Sequence, residues 1–265
     1  MANSIPDPLV QTYQALRQEF ENPNGNADRC REYLIQLKIG LAENGLLDAN
    51  SSNTEGLTLA RDVLEIGAYW SIRVGDIKSF ERYIQLLQPY YTNFAAQLSA
   101  SPRMYPLIGL NLLRLLSQSR IADFHAALET IDLDELRSNP FIQHPLQLEQ
   151  ALMEGSYKRV WNSRAEVPAP EYTFFMDILT STIRNEIASC SEKAYTSLPL
   201  ADAATLLFFS RPDDVAQFAR ERGWRVNPID RKIYFGDADG TDQDLPVDTI
   251  VSQSLNYARE LEKIV

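Results

Sequence analysis

The sequence predicts a mainly α protein: a right-handed helical-repeat array of tetratricopeptide-like kind, then a winged-helix module, then a C-terminal helix. Three observations predict it. Leu, Ile, Tyr and Phe recur at three- and four-residue spacing from residue 8 to about 190, without β-branched alternation, and that period marks amphipathic helices. The corners between these helices look alike. Near the end, "LLFFSRPDDVAQFARERGWRV" (206–226) reads as helix, turn and helix, and "KIYFG" beyond it reads as a returning strand. The expected organisation is a helical array over 1–190, a winged helix over 191–240, and a linker with an amphipathic helix over 241–265.

Taken in order, "NGNADRC" (24–30) marks an early corner, and "DANSSNTEG" (48–56) is polar and rich in turn formers, a loop between early helices. "RDVLEIGAYWSIRVG" is one helix and "DIKSFERYIQLLQPYY" the next. Asp76 is placed to cap the second, and Pro89 to close it or kink its end. "YPLIGLNLLRLLSQSR" and "IADFHAALETI" form another pair. "HPLQLEQALMEGS" and "YKRVWNSRAEV" form a third, with His144 before Pro145 at a helix start. "AEVPAPEY" (165–172) holds two prolines and interrupts the helices. "TFFMDILTSTIRNEIASCSEKAY" then resumes as a long helix.

The corners carry the repeat. "VGDIKSF" (74–80), "QSRIADF" (118–124) and "EGSYKRV" (154–160) each place a small residue at the turn: Gly75, Ser119 and Gly155. An apolar side chain follows five residues later: Phe80, Phe124 and Val160. Gly25 and Cys30 form a looser earlier copy. The intervals of 50, 44 and 36 residues are irregular, near the period of helical-hairpin arrays but not strict. Such hairpins bury their apolar faces by stacking on one another. An irregular all-α domain with similar turns is the alternative.

In the later module, Ser197 is a candidate N-cap, Pro199 sits in the first helical turn, and Leu200, Ala203, Ala204 and Leu207 follow at helical spacing. The second helix, about 212–222, turns Val215, Phe218 and Ala219 inward and ends at Gly223. Trp224, Val226, Ile233 and Phe235 supply the apolar side chains of a wing. This pattern invites a nucleic-acid reading, which charge opposes. The chain carries a formal net charge of −11, whereas duplex binding rests on Lys and Arg neutralising phosphates. In the second helix, Asp213, Asp214 and Glu221 oppose Arg220 and Arg222, and Gln217 alone is a neutral reader of base edges. "GDADGTDQD" adds further acid. The module is expected to contact protein, with no nucleic acid.

No catalytic or ligand-binding constellation is present in the sequence. Its two Cys (Cys30, Cys190) and two His (His125, His144) form no CxxC or HxxxH pair to hold a metal. No nucleophile motif surrounds them, and no Walker loop appears. "GDADGTDQDLPV" lacks the Glu that closes a calcium loop, and no His-x-His pair suits a metalloprotease. No enzyme activity, metal, cofactor or small-molecule ligand is expected. Two distant cysteines fit reduced thiols. No basic n-region precedes an apolar stretch at the N-terminus, and no apolar run reaches the ~18–20 residues a membrane span needs. A soluble protein of cytoplasm and nucleus is expected.

The order of helical array, winged helix and terminal helix, with "SLPLADAATLLFF", "FARERGWRV" and the ending "LNYARELEKIV", resembles the PCI-domain family. Its members scaffold the proteasome lid, the signalosome and the translation initiation factor three complex. The resemblance is strongest over about 190–265. It implies a non-catalytic assembly subunit of the proteasome regulatory lid, supporting ubiquitin-dependent degradation. Its implied partners are other PCI subunits, met side by side through winged helices and bundled through C-terminal helices, and the base of the regulatory particle. The tail carries a matching stripe: Val247, Ile250, Val251, Leu255, Ala258, Leu261, Ile264 and Val265 recur at helical spacing. Ile250, Val251, Leu255, Ala258, Leu261, Ile264 and Val265 are the candidate partner-binding residues. The alternative for the tail is packing on its own winged helix. The alternative function is a peptide-binding adaptor whose concave repeat face, lined by Asn, Arg and Lys, clamps a peptide backbone.

Overall fold

The structure, a computed structural model, describes residues 7–22, 27–45, 54–94, 98–209, 211–227 and 230–235, with Val251, Ser252, Leu255 and Tyr257. Among these residues the fold is mainly helical, with twelve helices and three short strands. The chain divides into two compact units, Met1–Ile183 and Arg184–Val265.

The first unit begins with α1 (Asp7–Glu21), α2 (Ala27–Glu43), α3 (Thr54–Val74) and α4 (Ile77–Thr92). It continues with α5 (Met104–Ser117), α6 (Ile121–Glu129), α7 (Leu133–Ser138), α8 (Pro140–Met153) and α9 (Tyr157–Ser163). It ends within α10 (Tyr172–Ala194). Neighbours in sequence pack together, α3 on α4 and α1 on α2, while α5 packs on α8. One apolar core runs through the unit, with Leu16, Leu37, Leu57, Phe80, Leu113, Phe124, Tyr172 and Phe175 at 0% exposure. The segment 48–56 was expected to be a loop; its last three residues, Thr54 to Gly56, instead open α3, and residues 48–53 lie outside the described residues. The short helix α7 was not anticipated.

The three corners share one geometry. Gly75, Ser119 and Gly155 adopt φ of 80°, 57° and 69°, the left-handed region, where the missing Cβ of the two glycines removes the steric penalty that Ser119 bears. The amide of each donates to the carbonyl three residues back (Ile72, Leu116, Leu152) at 3.0–3.1 Å. The next amide donates five back (Ser71, Leu115, Ala151) at 2.8–2.9 Å. This pair of bonds satisfies the last carbonyls of the helix and turns the chain. Phe80, Phe124 and Val160, five residues on, are at 0%, 0% and 3% exposure. At the first corner Asp76 caps α4 as expected, its carboxylate accepting from the amides of Lys78 and Ser79 at 3.1 and 3.2 Å. α4 continues three residues past Pro89 to Thr92. Cys30 is buried, as its place in the looser copy suggests; Gly25 lies outside the described residues.

His144 does not open a helix. Asn139 does the capping, its side-chain oxygen accepting from the amide of Phe141 at 3.1 Å, and Pro140 takes the first position, which it tolerates. His144 and Pro145 therefore lie inside α8. Pro145 has no N–H for the carbonyl of Phe141, four residues earlier. The buried hydroxyl of Tyr172 on α10 shares its one proton between that oxygen, at 3.2 Å, and the carbonyl of Pro106 on α5, at 3.1 Å. The proline vacancy in one helix is thus filled by a side chain of another. Gly109 lets the helices meet there: a Cβ added to it would overlap the Tyr172 hydroxyl and the Phe141 carbonyl oxygen.

A buried polar network ties α3 to α4 and the segment after it. The Glu65 carboxylate, 1% exposed, accepts from the Tyr91 hydroxyl and the Ser101 hydroxyl at 2.9 Å each. Arg61 lies 3.8 Å away and donates to the Ser99 carbonyl and to Asp62. Burial pushes the Glu65 pKa above the ordinary carboxylate value, against the lowering effect of these donors.

The second unit holds the end of α10, then β1 (Ser197–Pro199), α11 (Leu200–Leu206), α12 (Pro212–Glu221), β2 (Arg225–Asn227) and β3 (Lys232–Tyr234). The strands form one antiparallel sheet in the order β1–β3–β2. Here Ser197 is not a helix cap: it is a strand residue paired with Tyr234. Pro199 is extended (φ −60°, ψ 144°) and precedes α11. A proline is tolerated there because β1 is an edge strand, where no ladder partner needs its missing N–H.

Candidate functional site

Three features of the second unit bear on function: its inner packing, the face of α12, and the terminal helical residues. The register fixes the inner side of the sheet. Leu198, Ile233 and Val226 stand in one cross-strand row, and Ile233 is fully buried. Val215 and Ala219 on α12 and Ala203 and Leu207 at α11 are buried, as their helical spacing predicts. Phe218 is only half-buried. It joins a line of rings from Phe209 through Phe218 and Trp224 to Phe235, with centroid separations of 5.6, 5.7 and 4.9 Å. Gly223 (φ 76°) ends α12 with the same pair of bonds seen at the corners, to Arg220 and from Trp224 to Ala219.

The carboxylate of Glu192 on α10 holds this arrangement. It accepts from the Trp224 indole N–H at 2.7 Å and from Arg222 at 3.1 Å. Arg222 also reaches Ser189 and both oxygens of Asn185. Arg184 covers the ring of Phe209 and donates to the carbonyl of Leu207 at the end of α11. Sequence reasoning missed these clamps. Their one signal is a set of arginines and aromatic residues, and the partners they join lie 23 to 37 residues apart in sequence.

The clamp also bears on the nucleic-acid reading raised by the sequence. Of the two arginines at the end of α12, Arg222 is spent on α10. Gln217, the neutral reader, donates to Glu221 at 3.3 Å. Asp213 and Asp214 are exposed at the helix start. They suit the positive end of the helix dipole and repel phosphates.

Of the seven candidate partner-binding residues, Val251 and Leu255 are described. Both are helical and 49% and 61% exposed. Tyr257, which the stripe did not include, is 69% exposed. Ile250, Ala258, Leu261, Ile264 and Val265 lie outside the described residues. Cys30 and Cys190 are free thiols, buried and exposed respectively. His144, whose Nε2 lies 3.3 Å from the Ser163 carbonyl, has its pKa lowered by burial. His125 approaches Glu149 at 3.5 Å. Among the described residues, no group of three or more His, Cys, Asp or Glu is placed to hold a metal ion. No described helix is long and apolar enough to cross a membrane.

The class is that of mainly α proteins of PCI type, in which helices come first in the chain and a small unit of helices and sheet follows. The chain belongs to the CSN8/PSMD8/EIF3K family, whose family model matches residues 102–240. It is similar over nearly its whole length to proteins of three organisms. It is 38% identical to the 26S proteasome non-ATPase regulatory subunit 8 homolog A of Arabidopsis thaliana, over 97% of each chain. It is 36% identical to the 26S proteasome regulatory subunit rpn12 of Schizosaccharomyces pombe, over 93% of this chain and 96% of that one. To the 26S proteasome regulatory subunit RPN12 of Saccharomyces cerevisiae it is 34% identical, over 97% and 99%. The resemblance to PCI-domain proteins read in the sequence is borne out.

Proposed function

We propose that this chain is a non-catalytic structural subunit of the proteasome regulatory lid, assembling with other PCI subunits and with the base of the regulatory particle. The observation that carries this reading is end-to-end similarity to proteins named as 26S proteasome regulatory subunits. The helices up to α10 act as a helical-repeat array, a reading supported by three corners of one geometry. The second unit acts as a winged helix, a reading supported by α11, α12 and the β1–β3–β2 sheet in that connection.

The terminal helix is the assembly element. The exposure of Val251, Leu255 and Tyr257 supports a partner in place of packing on the same unit. Burying a large aliphatic side chain contributes about 1.5–3 kcal/mol, while ordering each backbone residue costs about 1–2 kcal/mol. An apolar groove on a partner therefore decides whether such a helix is held.

A native pull-down tests this, comparing full-length protein with a version ending at Asp248 and identifying captured proteins by mass spectrometry. Full-length protein is expected to bring down lid and base subunits and the truncated one to lose them. Equal capture by both removes the role of the terminal helix. Absence of proteasome subunits from both overturns the whole reading.

A further inference from the structure

α2 and α4 leave a strip of the first unit that is both apolar and basic. Both helices pack on α3, and the ammonium nitrogen of Lys38 on α2 lies 4.2 Å from the centre of the Tyr83 ring on α4, so they run side by side there. Ile35 is three residues from Lys38, and Leu86 three from Tyr83, which sets each beside the contact on its own helix. Ile39 lies one turn beyond Ile35. These three aliphatic side chains stand in the open, at 48%, 46% and 54% exposure for Ile35, Leu86 and Ile39. Scattered singly they would need no explanation, but a cluster marks a contact surface. Arg82, one turn before Leu86, is exposed as well.

The strip is also unbalanced in charge. Burial and the neighbouring Arg82 cation lower the Lys38 pKa, and among the described residues no carboxylate offsets them. Lys38 meets the face of a ring, a contact that leaves ammonium N–H groups for an acceptor outside the chain. The carboxylate on which Arg82 acts, Asp76, already accepts from the amides of Lys78 and Ser79 and from the Ser79 hydroxyl. Glu32 and Glu43 on α2 lie six and five positions from Lys38, about a third of a turn or more around the helix from it. Two cations outside any described ion pair thus adjoin three exposed aliphatic side chains, in a chain of net charge −11.

We propose that the strip between α2 and α4 docks an acidic amphipathic helix of a protein partner, aliphatic side chains at three- and four-residue spacing meeting Ile35, Ile39 and Leu86 and flanking carboxylates meeting Lys38 and Arg82. A helix with one apolar face fits a line of apolar side chains between two helices, and negative charge is what the two cations lack. A nucleic-acid strand would supply the charge but leave the aliphatic side chains in water. Site and occupant differ from those of the terminal helix, so failure here and failure of the lid reading are separable.

Fluorescence anisotropy of the full chain with a fluorescein-labelled peptide of three Leu-Glu-Glu-Leu-Leu-Glu-Glu repeats tests the proposal. The peptide is expected to bind, more weakly as salt rises, and a scrambled peptide of the same composition to bind at least about fivefold more weakly. The pair Lys38→Glu, Arg82→Glu is expected to weaken binding about tenfold or more, and Leu86→Ser about threefold or more. A control of equal charge change at exposed positions of the first unit, Arg137→Glu with Lys158→Glu, is expected to change it less than about twofold. Arg82→Glu alone repeats the test should the pair lose its helical circular dichroism.

No binding by the wild type overturns the proposal, as does equal loss in the Lys38, Arg82 pair and the control. Equal binding of the peptide and its scrambled form also overturns it, since the attraction would then be one of charge alone. Stronger binding of a dT12 oligonucleotide, or of phosphatidylserine vesicles, than of the peptide does the same. So does binding that appears only in a version ending at Asp248, which would mean that the chain's own terminal helix occupies the strip.

Discussion

Replacing Tyr172 by Phe removes one oxygen atom from the interior and is expected to destabilise the protein out of proportion to its size. The ring is fully buried, and its hydroxyl serves the carbonyls of Phe141 and Pro106. Burial pushes the Tyr172 pKa up, so the hydroxyl remains a neutral donor. Without it, the Phe141 oxygen loses this donor, and the usual i+4 donor of its own helix is missing because the residue four positions on is Pro145. A buried acceptor left unsatisfied costs about 1–3 kcal/mol, or roughly 2–4 °C in melting temperature per kcal/mol for a chain of this size.

The reasoning makes a sharper demand through a second site. Pro145→Ala supplies an amide N–H four residues beyond Phe141. In that background the penalty of Tyr172→Phe is expected to shrink by about 1 kcal/mol, since the orphaned carbonyl now has a helical partner. Urea unfolding of the four full-length proteins, followed by helical circular dichroism, measures the cycle. A coupling within about 0.3 kcal/mol of zero would refute the exchange of one donor for the other.

The remaining predictions concern the same unit. Gly109→Ala places a Cβ against the Tyr172 hydroxyl and 3.1 Å from the Phe141 carbonyl carbon; overpacking of this kind costs about 1–3 kcal/mol, and unchanged thermal stability would mean the helices have room to part. Glu65 gives a pH effect with a definite sign. Because its folded pKa is raised, its stabilising contribution is full below the unfolded carboxylate value and is lost as pH rises through the folded one. The stability of wild type minus that of Glu65→Gln is therefore expected to fall as pH increases across that window, and a constant or rising difference in urea titrations at several pH values would contradict it.

The local signals were legible wherever one stretch of chain contains all the atoms involved. A corner needs a residue that accepts positive φ, carbonyls three and four residues back, and an apolar side chain five residues on; all of these lie within ten residues, so Gly75, Ser119 and Gly155 stand out unaided. The inward positions Val215, Ala219 and Ile233 follow from helical and strand periods in the same way. Of the tail stripe, Val251 and Leu255 are seen as exposed helical residues, and the rest lies outside the described residues.

What only the tertiary structure decided involves partners remote in sequence. Three residues at 197–199 carry too little pattern to declare a strand; β1 exists because Tyr234, thirty-seven positions beyond Ser197, brings it a ladder. That pairing turned an apparent helix cap into an edge. Pro145 reads locally as a helix start, yet it is tolerated inside α8, where a hydroxyl from α10 reaches the carbonyl it leaves bare. Glu65 lies in a helical period without announcing that it is buried, and Tyr91 and Ser101 become its donors only after the chain has turned. The amino-acid order determined where most helices lie and which way they face. The folded chain determined which lone polar atoms find one another, because desolvated donors and acceptors must be paired wherever in the sequence their partners lie.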